Sequence, residues 1–109
     1  AKTEAPVLRF DGLEIDPGPR EARLGGRVAT LTPKEFDLLL HLASRPRFAF
    51  SREQLLEELW DIAFDGDPSV VTVHIRRLRE KIEPDPSDPI FLITVRGRGY
   101  KFASPDGLA

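Results

Sequence analysis

The sequence contains no cysteine and only two histidines, and these shortages exclude several kinds of site. Without cysteine there is no disulfide framework, thiol nucleophile, iron–sulfur cluster or cysteine-based zinc site. Two histidines are too few for a multi-histidine metal centre or a histidine-rich catalytic site. We therefore expect no metal and no cofactor, and the absence of cysteine favours a reducing compartment.

Long apolar runs are also missing. None reaches the roughly 18 residues that a membrane-spanning helix needs, and the first ten residues lack the pattern of a secretory signal. The chain has 109 residues, of which 40% are hydrophobic and 31% charged, as is typical of one globular domain. Because it has no methionine at its start, we expect a processed chain or a piece of a longer protein. We predict a linker remnant at residues 1–6, a domain at 7–103 and a tail at 104–109.

The net charge of −2 hides an uneven distribution. Residues 1–68 carry 9 Lys or Arg and 13 Asp or Glu, a balance of −4. Residues 69–102 carry 7 and 4, a balance of +3, and Asp106 adds the last negative charge. Because a phosphate-binding surface needs only local positive charge, residues 69–102 are the candidate nucleic-acid surface.

Turn residues predict four short antiparallel strands between residues 7 and 30. Residues 11–12 (DG) and 25–26 (GG) are typical of hairpin turns, and residues 16–19 (DPGP) break the chain between them. No Ser, His or Cys constellation lies on these strands, so they favour a platform over a reaction site.

Capping boxes then predict two helices. Thr32 and Glu35 open the first helix, which should stop before Pro46, and Ser51 and Gln54 open the second. Apolar residues at helical spacing predict that the first helix is largely buried, and the second has Leu55, Leu56, Leu59 and Trp60 at core spacing.

A third helix is predicted to start near Asp67 or Ser69 and to run to about Glu83. Its predicted core stripe consists of Val71, Ile75, Leu78 and Ile82. Residues 91–102 then predict a β-hairpin, with Gly97 and Gly99 supplying permissive backbone at the tip.

The side of the third helix opposite the stripe is basic. It carries Ser69, Val73, Arg76 and Arg77, with Val70 and Thr72 on the flanks. In a DNA major groove, arginines reach guanine or phosphate, and an exposed valine meets thymine methyl groups. A solvated, charge-rich face is the alternative, since Glu80 and Glu83 are expected on the same side. From this helix alone, both interpretations stay open.

The hairpin favours the first interpretation. Arg96 and Arg98 flank Gly97 at the tip of a ribbon that holds three cations and no acid. Such a tip suits the minor groove or the phosphate backbone, whereas a hairpin that only packs leaves the arginines unexplained.

Other candidate chemistry is weak. His74 lies at the border of the core stripe, where a phosphate contact is slightly favoured over a satisfied border histidine, and His41 is expected to be structural. Trp60 is expected to be a core or helix-end aromatic. Residues 65–67 (DGD) lack the remaining ligands of a calcium loop. No nucleophile has a neighbouring base, so we expect no enzyme activity.

Four segments in order resemble one known family. LTPKEFDLLLHLASRP, SREQLLEELW, VVTVHIRRLREKIE and ITVRGRGYKF are similar to the C-terminal effector domain of OmpR/PhoB-family response regulators, and the resemblance runs from about Val7 to Phe102. It implies an α+β winged helix-turn-helix, with an N-terminal four-stranded antiparallel sheet, three helices and a C-terminal β-hairpin wing. It also implies a bacterial, cytoplasmic, sequence-specific double-stranded DNA-binding domain of a two-component system. This domain would regulate transcription through recognition helix 69–83 in the major groove and wing 91–102 in the minor groove.

The resemblance assigns roles to residues of this chain. The base-reading residues would be Val70, Thr72, Val73 and Arg77; the phosphate contacts would be His74, Arg76 and Arg79, with Ser69 on the same face; the minor-groove residues would be Arg96 and Arg98; and the polymerase-contact loop would include Trp60, Asp61, Asp65 and Asp67. Relatives often have Arg or Thr where Ser69 and Val70 stand, and Asp where Thr72 stands. Their base preferences are therefore not transferred.

The resemblance implies partners as well. It implies double-stranded DNA with tandem half-sites, RNA polymerase, and a sensor kinase acting on a receiver domain that is absent from this chain. The isolated chain would be a monomer, and the full-length protein a dimer on DNA, with no membrane contact. The alternative is a protein-interaction winged helix that contacts RNA polymerase or another acidic partner.

Overall fold

A sheet, three helices and a hairpin follow one another along the chain, in the order that the sequence predicts. The computed structural model describes residues 6–60 and 67–103. The elements are β1 (Leu8–Phe10), β2 (Leu13–Asp16), β3 (Glu21–Leu24), β4 (Arg27–Ala29), α1 (Pro33–Ala43), α2 (Arg52–Leu59), α3 (Ser69–Ile82), β5 (Leu92–Val95) and β6 (Gly99–Phe102). The expected α+β architecture of a winged helix-turn-helix is confirmed.

The first four strands form one antiparallel sheet in the order β1-β2-β3-β4. Leu13, Ile15 and Ala22 are fully buried on one face of this sheet. Ile15 lies opposite both Leu8 and Ala22, which fixes the register of the buried face. The sheet is therefore a packing platform beneath the helices.

Both predicted capping boxes are present. The Thr32 hydroxyl accepts from the Glu35 backbone N–H at 3.2 Å, and the Glu35 carboxylate accepts from the Thr32 N–H at 3.0 Å. Ser51 and Gln54 make the equivalent pair at 3.0 and 2.8 Å. These pairs fix the starting points of α1 and α2, because each satisfies two backbone donors that the helix itself leaves unpaired.

The predicted core stripe of α3 is confirmed. Val71, Ile75, Leu78 and Ile82 are all buried. The helix packs against α1, α2 and β3. Its opposite face is thereby directed outward.

The prediction for Glu83 is wrong. The sequence places this residue on the solvated face of the third helix, but it is only 4% exposed. It is the first residue after α3, and its extended backbone (φ −85°, ψ 137°) takes the side chain out of the 100° helical projection. The carboxylate turns inward, where it accepts backbone N–H groups of Ile90, Phe91 and Leu92.

The C-terminal hairpin has the predicted turn. Gly97 at the tip has φ 75° and Gly99 has φ 145°, so both use conformations that favour glycine. The bridge between Phe50 and Tyr100 was not predicted; the two residues exchange backbone hydrogen bonds of 2.8 and 2.9 Å. This bridge attaches β6 to the segment that leads into α2.

Two further observations concern the described residues. None of their helices combines the length and apolar composition needed to cross a membrane. Within the same ranges, no three His, Asp or Glu side chains are grouped so as to hold a metal ion.

Candidate nucleic-acid interface

The outward face of α3 carries the predicted arginines. Arg76 and Arg77 are both exposed, as is Ser69 at the first helical position. The ion pairs among the described residues involve neither Arg76 nor Arg77. Within residues 6–60 and 67–103, both guanidinium groups are therefore exposed without a carboxylate partner.

Of the two valines near this face, Val73 is less exposed than predicted. Val73 is half-buried, contrary to the expectation of an exposed valine, and Val70 is half-buried against the core. Val70 lies on the flank of the helix and packs against the core, whereas Val73 lies on the side opposite the buried stripe. Only part of each side chain is available to a ligand.

Thr72 joins three elements. It is exposed, and its hydroxyl oxygen accepts from Arg52 Nη1 at 3.4 Å and from the Tyr100 hydroxyl at 3.3 Å. Arg52 is the first residue of α2 and is itself exposed. Sequence reasoning missed Arg52 because it was considered only as part of the Ser51 capping box. Its position directly after the cap, at the exposed start of a helix, could have identified it as a candidate.

His74 lies at the border of the helix face, as predicted. It is half-buried, and its Nδ1 lies 2.9 Å from the Val70 carbonyl oxygen, which accepts a hydrogen bond from it. Its ring meets Trp60 edge-on, with 5.1 Å between centroids. Trp60 ends α2 and packs against the core, so the helix-end interpretation of this residue fits its position.

Asp67 holds the start of α3. Its carboxylate accepts the Ser69 backbone N–H at 3.0 Å. This bond, together with one from the Ser69 side chain, lowers the pKa of Asp67 below its usual value. The other predicted loop residues, Asp61 and Asp65, lie outside the described residues.

Arg79 makes internal contacts. Its Nε and Nη2 donate to the Leu92 carbonyl oxygen at 3.1 and 2.9 Å, and Nη2 also donates to the Thr94 hydroxyl oxygen at 2.8 Å. Its guanidinium lies 5.8 Å from the centroid of the Tyr100 ring. The assignment of Arg79 to phosphate stays a prediction, and the contacts that it makes connect α3 to β5.

The wing tip presents two more cations. Arg96 and Arg98 are exposed on either side of Gly97, and the Arg98 N–H closes the turn on the Val95 carbonyl at 2.9 Å. An open groove of about 510 Å³ separates this tip from the first turn of α2. Its lining includes Arg52, Glu53, Thr94, Arg96, Arg98 and Tyr100. With three arginines against one glutamate, the groove suits a phosphodiester backbone.

One family description matches most of the chain. It reads "Transcriptional regulatory protein, C terminal" and matches residues 26–102. The chain is also similar to the alkaline phosphatase synthesis transcriptional regulatory protein SphR of Synechococcus elongatus, with 52% identity over 101 residues. That alignment covers 93% of this chain and 39% of SphR, so the chain spans less than half the length of this relative.

Solved structures share the fold. The response regulator DrrB of Thermotoga maritima, described as an OmpR/PhoB homolog, superposes with a TM-score of 0.81 at 37% identity, over 89% of this chain and 44% of DrrB. The DNA-binding domain of Klebsiella pneumoniae RstA, solved in complex with the RstA box, gives 0.81 at 36% identity, over 92% of this chain and 99% of that domain.

Proposed function

The chain belongs to the family of C-terminal domains of transcriptional regulatory proteins, and from this membership we propose that it binds double-stranded DNA sequence-specifically as the effector domain of a bacterial response regulator. One observation carries the proposal. Exposed arginines stand on two separate protrusions, the outer face of α3 and the tip of the β5–β6 wing. A related domain with the same fold, that of RstA, is known in complex with its DNA box.

The two protrusions suit different parts of a duplex. A helix fits the major groove, where α3 would read bases, and a hairpin tip with arginines fits the minor groove. The proposed base-reading residues are Val70, Thr72, Val73 and Arg77; the proposed phosphate contacts are Ser69, His74, Arg76 and Arg79; and the proposed minor-groove residues are Arg96 and Arg98. Because Thr72 is already hydrogen-bonded to Arg52 and Tyr100, its base contact would use the methyl group or the hydroxyl hydrogen.

The whole regulator would act in the cytoplasm through further partners. We propose that it binds tandem half-sites as a dimer, while this domain alone is a monomer. A sensor kinase would act on a receiver domain. RNA polymerase would meet the segment that includes Trp60, Asp61, Asp65 and Asp67. No enzyme activity is proposed for this domain.

Arg77→Ala tests the base-reading role. We expect it to weaken binding to the preferred duplex by about 1–3 kcal/mol and to relax the preference at one base position, because a bidentate guanine contact is lost. Affinities for the preferred and a scrambled duplex are measured by fluorescence anisotropy. Arg27→Ala, which removes an exposed arginine of β4, is the matched control and should leave both affinities unchanged. An equal loss on both duplexes would reduce Arg77 to a phosphate contact.

Arg76→Ala should behave differently. If Arg76 contacts phosphate, its removal weakens binding to every sequence and lowers the slope of log affinity against log salt by about one. The same anisotropy titrations, repeated at several salt concentrations, give this slope. A slope equal to that of the native protein would contradict the assignment.

A further inference from the structure

Two charged side chains from the end of α3 hold the same residue of the wing. The backbone N–H of Leu92 donates to Glu83 Oε2 at 2.8 Å. The backbone carbonyl oxygen of Leu92 accepts from Arg79 at 2.9 and 3.1 Å. Leu92 is fully buried at the base of the hairpin, opposite Phe102. The Glu83 carboxylate therefore binds the N–H of Leu92, and the Arg79 guanidinium binds its carbonyl oxygen.

This arrangement replaces a neighbouring strand. In an antiparallel pair, alternate residues direct their N–H and C=O groups away from the partner strand, where a third strand would normally bind them. Here the side chains of Arg79 and Glu83 occupy that edge. Glu83 also accepts hydrogen bonds from the N–H groups of Ile90 and Phe91, at 2.8 and 3.1 Å, so it binds three consecutive residues.

The opposite strand is held by another part of the molecule. The outer edge of β6 exchanges two backbone hydrogen bonds between Tyr100 and Phe50, in the segment before α2. The Arg47 N–H adds a bond of 2.7 Å to the Phe102 carbonyl oxygen. Of the two strands, it is thus β5 whose backbone is bound to the end of α3 itself.

Small movements at the base of the wing become large at its tip. Arg96 is four residues beyond Leu92, which corresponds to about 13 Å of extended chain. A rotation of about 10° at Leu92 would displace Arg96 by about 2 Å, more than the range over which a hydrogen bond survives. A wing that contacts DNA in register with α3 therefore needs a stiff base.

We propose that Arg79 and Glu83 are positioning residues that fix the angle between α3 and the wing, so that arginines of both contact one duplex together. This inference rests on the proposed function. It assigns to Glu83, an acidic residue that would repel phosphate, a part in DNA recognition through the position of Arg96.

A double-mutant cycle tests the proposal, because it measures the coupling between two sites. Arg96→Ala is made in the native chain and in Glu83→Gln, and each protein is titrated with the preferred duplex. In the native chain we expect a loss of about tenfold. In Glu83→Gln, where the wing no longer holds its angle, we expect Arg96→Ala to cost about twofold or less. Arg77→Ala should cost the same in both backgrounds, because α3 keeps its own packing.

Two results would overturn the inference. In the first, Arg96→Ala costs as much in Glu83→Gln as in the native chain. In the second, the Arg77 and Arg96 effects shrink together, which would mean that Glu83 supports only the fold as a whole. If Glu83→Gln does not fold, Glu83→Asp replaces it in the same cycle, since the shorter carboxylate keeps the charge but cannot reach the N–H groups of Ile90, Phe91 and Leu92 in the same way.

A second measurement separates this inference from the proposed function. Residual dipolar couplings of backbone N–H groups report the orientation of β5 and β6 relative to α3 without any DNA. We expect a single fixed orientation in the native chain and reduced, averaged couplings for residues 92–102 in Glu83→Gln. Unchanged couplings would refute the positioning role even if the native chain binds DNA. If the couplings are averaged in Glu83→Gln but the native chain shows no preference for any DNA sequence, the positioning role is supported and the proposed function fails.

Discussion

At the scale of single residues, Glu35 shows how one carboxylate performs two tasks. It completes the capping box of α1 and is 1% exposed, and its Oε1 also accepts from Lys81 Nζ at 2.7 Å. Lys81 lies in the last turn of α3. Glu35 therefore connects the start of α1 to the end of α3.

The environment of Glu35 favours its charged form. Burial by itself would raise the pKa of this carboxyl group. The hydrogen bonds from Lys81 and the Thr32 N–H, together with the positive charge of Lys81, outweigh burial and lower the pKa below the usual value of 4.5. A group with a lowered folded-state pKa stabilises the fold above its unfolded-state pKa, and this contribution is lost as the pH falls through the folded-state value.

Glu35→Gln tests this account. Because glutamine also suits a capping box, the variant mainly removes the charged contact with Lys81. We expect it to lower the free energy of unfolding by about 1–2 kcal/mol at pH 7. The difference from the native chain should shrink as the pH falls below 4.5. Urea unfolding at pH 7 and pH 3 measures this.

Glu14→Gln is the matched control for this comparison. Glu14 pairs with Arg9 at 3.4 Å, but this pair lies at the surface, with 68% of the Arg9 side chain and 42% of the Glu14 side chain exposed. An exposed pair contributes about 0–1 kcal/mol, so this variant should change stability little. If Glu35→Gln lowered the free energy of unfolding by the same amount at both pH values, the charged contact with Lys81 would not be the cause.

Single residues also show which contacts can be predicted from the sequence alone. The partner of Glu35 in the capping box is three residues away, so the pattern is local and was predicted. Its partner Lys81 is 46 residues away, and no periodicity connects the two. Arg79 and Glu83 follow the same rule. A helical projection places Arg79 on α3 but fails at Glu83, which follows the helix, and the contacts of both with Leu92 depend on where the chain returns after Pro84, Pro86 and Pro89.

At the scale of elements, the wing depends on a close approach between two backbones. A Cβ atom on Gly99 would lie 2.0 Å from the Phe50 carbonyl oxygen, far inside any real contact. Gly97, at the wing tip, has open space around the same position. The sequence predicted permissive backbone at both glycines, but not the bridge to Phe50 that makes Gly99 the more constrained of the two.

Gly99→Ala should therefore destabilise the domain much more than Gly97→Ala. Gly97→Ala has only the cost of a left-handed conformation, about 1–2 kcal/mol. Gly99→Ala adds the backbone clash to an unfavourable conformation, and we expect about 3 kcal/mol or more. Urea unfolding of both variants gives the comparison. If both variants lost the same free energy of unfolding, the Phe50–Tyr100 bridge would have to move aside at no energetic cost.

At the scale of the whole molecule, charge distribution matters more than net charge. The chain carries −2, yet exposed arginines stand on α3, on the wing and at the start of α2. Charge counting along the sequence predicted which half is basic. It could not predict that Arg52, from the acidic half, joins the wing arginines in one groove, because that depends on how α2 packs beside β6.

The central claim is that this basic face reads DNA sequence. The most direct test is selection of preferred duplexes from a random pool, followed by titration of the selected and scrambled duplexes at several salt concentrations. We predict one enriched repeated motif, bound more tightly than scrambled DNA, with affinity that falls steeply as salt rises. Absence of enrichment, with equally weak binding to every duplex, would contradict the claim.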